Sequence, residues 1–165
     1  MKKNIINISL AIFLALICNN LFAQATDFSG KWQINKTKTD FDHLPESVIP
    51  QIYIVSRGKE TIVIERKTID TSRNEHKSID SLSFSGKVMT AILYNGTRRT
   101  VTLKWADNEH IFLITATSVY KDGNPGPKYI DAWSLADNGK TLIVDRHVDQ
   151  SDGSTYSLKA YYDKQ

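Results

Sequence analysis

Cysteine is almost absent from this chain of 165 residues, and its one thiol, Cys18, lies close to the N-terminus. A disulfide within the chain is therefore excluded, and the fold must be stabilised by the burial of apolar side chains. Catalysis by a cysteine nucleophile is excluded for everything that follows residue 18.

An excess of charge of one sign is missing as well. Without Lys2 and Lys3, 19 of the 21 basic residues remain against 18 acidic ones, which leaves a net charge of +1. No basic stripe is visible along the chain. Because binding to the nucleic-acid backbone depends on clustered positive charge, nucleic acid is not an expected partner.

Long apolar runs are absent except near the N-terminus. Residues 8–17 form one such run, which follows Lys2 and Lys3 and leads into small residues around Ala23 and Ala25. This order is typical of a cleaved export signal, and the run is too short and too polar at its end for a transmembrane helix. Cleavage after Ala23 or Ala25 is expected.

The predicted domain organisation is a removed signal at residues 1–25 and a single β-barrel domain at residues 26–165. A mature chain of about 140 residues is long enough for one domain with a full core. Lipidation at Cys18 is disfavoured because Ile17 is larger than the residue that the lipoprotein signal peptidase usually accepts. We therefore expect export to the periplasm or the extracellular space without a lipid anchor.

Motifs of the common catalytic sites are missing too. No Gly-x-Ser-x-Gly elbow occurs, and the four histidines show neither the His-x-His nor the His-Glu-x-x-His spacing of metal sites. We expect no catalytic residues, no metal site and no cofactor, and so no enzyme. A hydrolase whose residues meet from distant strands is the enzymatic alternative.

What the chain does have is alternation of apolar and polar residues, which is typical of β-strands with one buried face. It is clearest at residues 100–105 and 155–160, and turn residues such as Asn138-Gly139 separate the alternating segments. No helical stripe follows the signal. We predict about nine strands, or ten with the weakest, at residues 30–36, 50–57, 60–69, 76–84, 87–94, 98–106, 110–120, 128–135, 140–148 and 154–162.

Consecutive hairpins of this kind close most naturally into an all-β, antiparallel up-and-down barrel of about 8–10 strands, with a sandwich as the alternative. Two longer loops interrupt the regular succession of strands and short turns. One covers residues 37–50, with room for one helical turn, and the other covers residues 121–127, which two prolines make stiff. A membrane-spanning barrel is disfavoured because Glu65, Arg66 and Lys67 place charge on both faces of one strand.

Gly30 and Trp32 open the first predicted strand, and residues 133–146 read WSLADNGKTLIVDR. With the long first loop and the hairpins that follow, these features resemble the calycin group, which includes lipocalins, avidins and fatty-acid-binding proteins. The chain looks most like the small exported lipocalin-like proteins of bacteria. It departs from lipocalins in having a final strand after Thr155 where they have a helix. The resemblance implies a small barrel with a cavity and no particular ligand.

Two segments of the chain share one pattern, TIVIER at residues 61–66 and TLIVDR at residues 141–146. In each, period two puts the arginine, Arg66 or Arg146, on the same face as two aliphatic residues. If that face points inward, the buried guanidinium needs an acceptor, and an anionic ligand would supply one. The structural alternatives are an acid or water near the rim, or stacking of Arg146 on Trp32 as in lipocalins.

Aromatic residues on predicted strands supply further candidates for contact with a ligand: Trp105, Tyr129, Trp133 and Tyr156. Aromatic side chains in a barrel belong to the core more often than to a ligand site, so packing is the alternative for each. Trp32, with Gly30 allowing close approach of the chain, is expected to plug one end of the barrel. The entrance then lies at the opposite end, near residues 37–50.

Together these features predict a non-enzymatic exported protein that holds a small hydrophobic or amphipathic ligand inside a β-barrel cavity. If the two arginines contact this ligand, we expect it to be an anion. Arg66 and Arg146 are its candidate anchors. The alternative is a protein-interaction module, such as an inhibitor of secreted proteases, that acts through protruding loops around a solid core. The sequence leaves the oligomeric state open.

Overall fold

The computed structural model describes residues 25–93, 95–106 and 110–165. The predicted signal, its cleavage site after Ala23 and Cys18 lie outside the described residues. The domain bounds at residues 1–25 and 26–165 therefore stay predictions. Within the described ranges, no helix is both long and apolar enough to cross a membrane.

Ten β-strands and two short 3-10 helices make up the described chain, which contains no α-helix. The 3-10 helices span Glu46–Val48 and Asp137–Gly139. All ten strands overlap the ranges that the alternation predicts. The strands are β1 (Gly30–Ile34), β2 (Ile52–Arg57), β3 (Thr61–Ile69), β4 (Glu75–Ser83), β5 (Met89–Ile92), β6 (Arg98–Ala106), β7 (Ile111–Val119), β8 (Pro125–Ala136), β9 (Thr141–Asp149) and β10 (Thr155–Lys164).

Each strand pairs antiparallel with the next strand along the chain, apart from β4 and β5. The first and last strands also pair, with Trp32 opposite Lys164 and Ile34 opposite Tyr162. Strands β4 and β5 lie side by side without a hydrogen-bonded ladder, which makes them the two edges of one ten-stranded sheet. The sheet is thus a nearly closed up-and-down barrel, and the predicted fold class is confirmed.

The two ends of the barrel differ in what fills them. The turns β2–β3, β6–β7 and β8–β9 lie at the closed end, while the turns β3–β4, β5–β6, β7–β8 and β9–β10 lie at the open end. Aromatic side chains fill the closed half. Phe28 stacks on Phe112 with ring centroids 4.4 Å apart, and Phe112 contacts Trp105 at 4.0 Å. Trp32 and Trp133 are fully buried as well.

The predicted loop at residues 121–127 is wrong in extent, since β8 already begins at Pro125. The turn is only the stretch from Tyr120 to Asn124, in which the Tyr120 N–H donates to the Asn124 carbonyl at 2.9 Å. A register shift just before Val119 lets β7 pair onward to Pro125. Because the ladder is irregular at that point, a proline without an N–H donor fits there.

The open-end loop, residues 35–51 between β1 and β2, contains the single helical turn expected of it. It folds over the open end instead of protruding. The hydroxyl of Tyr162 donates to the carbonyl of Pro50 at 2.8 Å, and the backbone N–H of Tyr161 donates to Thr39 Oγ1 at 3.0 Å. These contacts hold the loop against β10.

Candidate functional site

Five charged side chains lie inside the open half of the barrel. They are Arg66, Asp80, Arg99, Asp131 and Arg146, each at most 7% exposed. Each comes from a different strand and occupies an inward position between two more exposed neighbours. A charge in such a place is unfavourable unless other groups neutralise it and complete its hydrogen bonds.

Arg146 and Asp131 form one complete pair as register partners on β9 and β8. Arg146 Nε and Nη2 each donate to one oxygen of Asp131 at 2.7 Å. The remaining nitrogen, Nη1, donates to the carbonyl of Val48 at 2.7 Å and so connects the barrel to the open-end loop. The guanidinium also lies 4.7 Å from the centre of the Tyr129 ring. Every nitrogen of this guanidinium has a partner, which favours the structural alternative for Arg146.

The expected stacking of Arg146 on Trp32 is wrong. Trp32 lies at the closed end, where its Nε1 donates to the carbonyl of Phe28 at 2.9 Å. The cation above its ring is Lys164, its register partner on β10, at 5.1 Å. Arg146 instead faces Asp131 in the open half, because its position on β9 is set by the pairing with β8.

Gly30 and Trp32 pack together at the closed end. Gly30 has a φ of 140°, and a Cβ at this position would lie 2.8 Å from Lys164 Cε. A larger residue would therefore strain the backbone and displace the lysine that covers Trp32. The complete burial of Trp32 supports the predicted plug at this end.

Asp80 is shared by two arginines. Arg66 Nη1 and Arg99 Nη2 donate to its two oxygens, one each. Burial works to lower the pKa of Arg66, but the charge of Asp80, with smaller contributions from Tyr129 and Tyr53, outweighs it and holds that pKa above its ordinary value. Arg66 therefore stays charged inside the barrel.

The buried charges of this cluster do not balance. Among the described residues, it holds three guanidinium groups and two carboxylates, a surplus of one positive charge. Arg66 Nε and Nη2 and Arg99 Nε are buried without a hydrogen-bond partner. On Arg146, the same Nε and Nη2 edge binds both oxygens of Asp131. Arg66 thus presents an unpartnered edge of the shape that fits a carboxylate.

Two adjoining cavities lie next to these arginines. The inner cavity, about 130 Å³, is lined by Arg66, Arg99, Arg146 and Tyr129 and by residues 48–50 of the open-end loop. The outer cavity, about 310 Å³, shares part of the same lining, and both cavities open to solvent. Most of its other lining residues are polar, among them Ser47, Asp70, Thr71, His76 and Lys77. The inner cavity accommodates a small polar group and not a long chain.

Asp70 adds a fixed negative charge at the rim of the outer cavity. Its hydrogen bond with His76 Nε2 at 2.8 Å, helped by the backbone N–H groups of Asn74 and Ser72, lowers the pKa of Asp70 to about 2. Asp70 is therefore ionised at neutral pH. This charge repels an approaching anion, and it repels a dianion more strongly than a monoanion.

The structure brings three of the predicted ligand-binding residues, Arg66, Arg146 and Tyr129, to the inner cavity. Tyr156 is half-buried on β10, where burial raises its pKa and the charges of Arg146 and Asp131 also act on it. Trp105 and Trp133 lie apart from these, in the aromatic packing of the closed half. That packing favours the structural alternative for the two tryptophans. Contact of any of these residues with a ligand stays a prediction.

The sequence reasoning missed Arg99, Asp80 and Asp131. The signal for Arg99 was present, since it alternates with Val101 and Leu103 as Arg66 does with its own aliphatic neighbours. No comparable local signal shows which carboxylate meets which arginine. That pairing depends on strands that lie far apart in the sequence.

No family model matches the sequence, and no curated protein is found to be similar to it. Among solved structures, the fold is similar to that of a zebrafish ileal bile acid-binding protein crystallised in complex with cholic acid. The TM-score is 0.52 at 13% sequence identity, and the match covers 84% of this chain and 98% of that one. At this identity the similarity shows the fold alone, a nearly closed barrel of the calycin type.

Proposed function

We propose that this chain is a non-enzymatic binding protein that holds a small amphipathic anion at the open end of its barrel. The observation that carries the proposal is the surplus of positive charge beside the inner cavity, where Arg66 presents an unpartnered guanidinium edge. Burying such an edge without an acceptor is unfavourable. An acidic group bound there neutralises the surplus and accepts the free hydrogen bonds.

The charge balance favours a monoanion, above all a carboxylate. The cluster carries one positive charge in excess, which one carboxylate neutralises. A dianion such as a phosphate monoester leaves a negative charge uncompensated, near the ionised Asp70. A carboxylate also has the planar shape that accepts two parallel hydrogen bonds from the Nε and Nη2 edge of an arginine.

The solved structure with a similar fold supports the same chemical class. That protein was crystallised with cholic acid, which is an amphipathic carboxylic acid. For this chain the proposal is limited to an amphipathic carboxylate and names no individual compound.

The protein-interaction alternative has less support from the geometry. It requires protruding loops around a solid core, whereas Arg146 and the backbone of Tyr161 hold the open-end loop to the barrel. The turn between β7 and β8 is short as well. The open half contains two cavities, which a binding protein uses and an interaction module does not need.

The proposal includes export of the chain as a small lipocalin-like protein of the bacterial type, with residues 1–25 removed. It rests on the order of Lys2 and Lys3, the apolar run and the small residues before Ala25. The mass of the protein recovered from the envelope or medium of its own cells tests this step. A chain that begins at residue 24 or 26 is expected, and a full-length chain retained in the cytoplasm contradicts it.

Isothermal titration calorimetry with dodecanoate tests the anion site. We expect the wild-type protein to bind dodecanoate and Arg66→Gln to bind it at least about tenfold more weakly, since a hydrogen bond to a charged group contributes about 1.5–3 kcal/mol. Arg66→Lys keeps the charge without the planar edge and should fall between the two. The matched control, Arg98→Gln, removes an exposed arginine from the outer face of β6 and should bind like the wild type.

Dodecanol, which has the same chain without the acid, should bind much more weakly than dodecanoate. Equal affinity of Arg66→Gln and the wild type for dodecanoate would place the acid elsewhere and contradict the proposed site. Failure of the wild type to bind either compound would contradict an amphipathic ligand altogether.

A further inference from the structure

The barrel wall is open along one line, the seam between β4 and β5. These strands follow one another in the chain and lie side by side, yet they form no ladder. Two aliphatic side chains on the outer faces of these strands are unusually exposed, Ile79 on β4 at 53% and Ile92 on β5 at 67%. Exposed aliphatic residues on both sides of an unpaired seam indicate a surface with a binding role.

A crevice of about 180 Å³ lies at the seam and is lined from both faces of the sheet. Ser78 and Ala91 occupy less exposed, inward positions on β4 and β5, whereas Ile79 and Ile92 occupy exposed, outward positions. All four line the same crevice. Since neighbouring residues of a strand point to opposite faces, the crevice lies at the edge of the wall, where inward and outward residues meet.

The crevice is continuous in its lining with the proposed anion site. Arg99 and Ser78 line the inner cavity, the outer cavity and the crevice alike. Ala91 is the register partner of Arg99 across β5 and β6. A ligand whose acid lies beside Arg66 and Arg99 is therefore already next to the seam.

Few other regions of the described structure accommodate the apolar part of such a ligand. The closed half is filled by fully buried side chains such as Phe112, Trp133 and Leu103. The outer cavity has one aliphatic residue, Leu93, in its lining, together with the ionised Asp70 and with His76 and Lys77. Of the routes that the described residues provide, the seam is the one flanked by exposed aliphatic side chains on both sides.

We propose that the ligand's apolar chain leaves the barrel through the seam and lies between Ile79 and Ile92, while its acid stays at Arg66 and Arg99. This inference rests on the proposed function and narrows it. The ligand class is a monocarboxylate with a flexible apolar chain that the closed half of the barrel does not enclose. The apolar chain of the ligand then covers Ile79 and Ile92, which are otherwise exposed to water.

Calorimetry with two acids of different chain length tests the seam. The probes are dodecanoate and butyrate, and the variant is the double substitution Ile79→Asn with Ile92→Asn. We expect the dissociation constant for dodecanoate to rise about tenfold, because apolar contact along the chain is lost, and that for butyrate, measured by competition, to stay unchanged. The matched control is Ile130→Asn, which removes a 36% exposed isoleucine on β8 and should leave both constants unchanged.

A spin label on the ligand, near the end of its apolar chain, gives a second readout. A carboxylic acid that carries a nitroxide far from its acid group should broaden the backbone amide signals of Ile79 and Ile92 and leave those of Leu103 and Trp133 sharp. Broadening centred on Leu103 and Trp133 would place the chain inside the barrel and overturn the inference.

The two proposals fail in different ways. If Arg66→Gln weakens dodecanoate binding but the seam variant binds like Ile130→Asn, the anion site stands and the seam inference is overturned. If the seam variant loses affinity while Arg66→Gln does not, the seam binds the chain and the anion site is wrong, which also overturns the inference as stated here. Failure of the wild type to bind dodecanoate overturns both.

Discussion

Asp80 is the residue on which the buried cluster depends most. It is fully buried and accepts hydrogen bonds from both Arg66 and Arg99. Removing one of these arginines leaves two buried charges of each sign, whereas removing Asp80 leaves three guanidinium groups with one carboxylate. Both changes delete a partner of the same ion pair, but their effects on stability should differ because the remaining charge differs.

We expect Asp80→Asn to lower the free energy of unfolding by about 3–5 kcal/mol, since it leaves buried positive charge uncompensated. Arg66→Gln should change the same quantity by less than about 1 kcal/mol, because Asp80 keeps Arg99 as its partner. Urea unfolding at pH 7, followed by tryptophan fluorescence, measures both. Equal losses in the two variants would show that the surplus charge has no influence on stability.

The buried side chain of Trp32 stabilises the closed end of the barrel. Trp32→Ala should lower the free energy of unfolding by about 3–5 kcal/mol, the usual loss for a large buried aromatic side chain. Tyr120→Ala removes an aromatic residue that is 40% exposed and serves as the control. A loss below about 1 kcal/mol for Trp32→Ala, typical of a surface change, would contradict its role as a plug.

Among the elements, the open-end loop contributes to both cavities. Its residues 48–50 line the inner cavity, and Ser47 lines the outer one. The loop is held at one point by Arg146 Nη1, which donates to the Val48 carbonyl, and at another by Thr39, which accepts from the Tyr161 N–H. These hydrogen bonds set how closely the loop lies against the barrel.

Thr39→Val should loosen this loop without changing the barrel. The substitution leaves the part-buried N–H of Tyr161 without an acceptor, which costs at most about 1–3 kcal/mol of local stability. Hydrogen exchange should therefore become faster at Tyr161 and in residues 35–51, but not in β6 and β7. Thr37→Val, at an exposed position of the same loop, is the control. Unchanged exchange at Tyr161 would show that Thr39 does not hold the loop.

At the scale of the whole molecule, the barrel separates apolar packing from charge. Aromatic side chains fill the closed half, and the open half holds the arginine cluster, the cavities and the seam. In this fold, apolar packing stabilises the closed half, and paired buried charges stabilise the open half. Such a division is consistent with the general finding that binding groups are held on a rigid, well-packed scaffold.

The stability of the molecule should fall in acid partly because of Asp70. Its pKa is about 2 in the folded protein and 3.8 in the unfolded reference, mainly because of the hydrogen bond with His76. The contribution of Asp70 is therefore complete above about pH 4 and is lost as the pH falls towards 2. Thermal unfolding of the wild type and Asp70→Asn should show a difference in Tm at pH 7 that shrinks between pH 4 and pH 2. A difference that stays constant over this range would contradict the lowered pKa.

The strands and the direction of their side chains follow from the local sequence alone. The period of two is a local property, because successive residues of a strand face opposite sides whatever the strand pairs with. It therefore predicted about nine strands, or ten with the weakest, in nearly correct places, and it put Arg66 and Arg146 on the same face as their aliphatic neighbours. The same rule indicates Arg99. It failed at Pro125, where an irregular ladder lets a strand begin inside a segment that composition marks as a loop.

Which of these inward residues meet depends on the pairing and closure of the whole sheet. Arg66, Asp80 and Arg99 lie on β3, β4 and β6, so their contact depends on how the sheet curves round until its two edges approach. The pairing of Arg146 with Asp131, and not with Trp32, likewise follows from the register between β8 and β9. The surplus of positive charge, the cavities and the seam all arise when the sheet closes into a barrel. Closure depends on all ten strands together, so the sequence of one strand does not predict it.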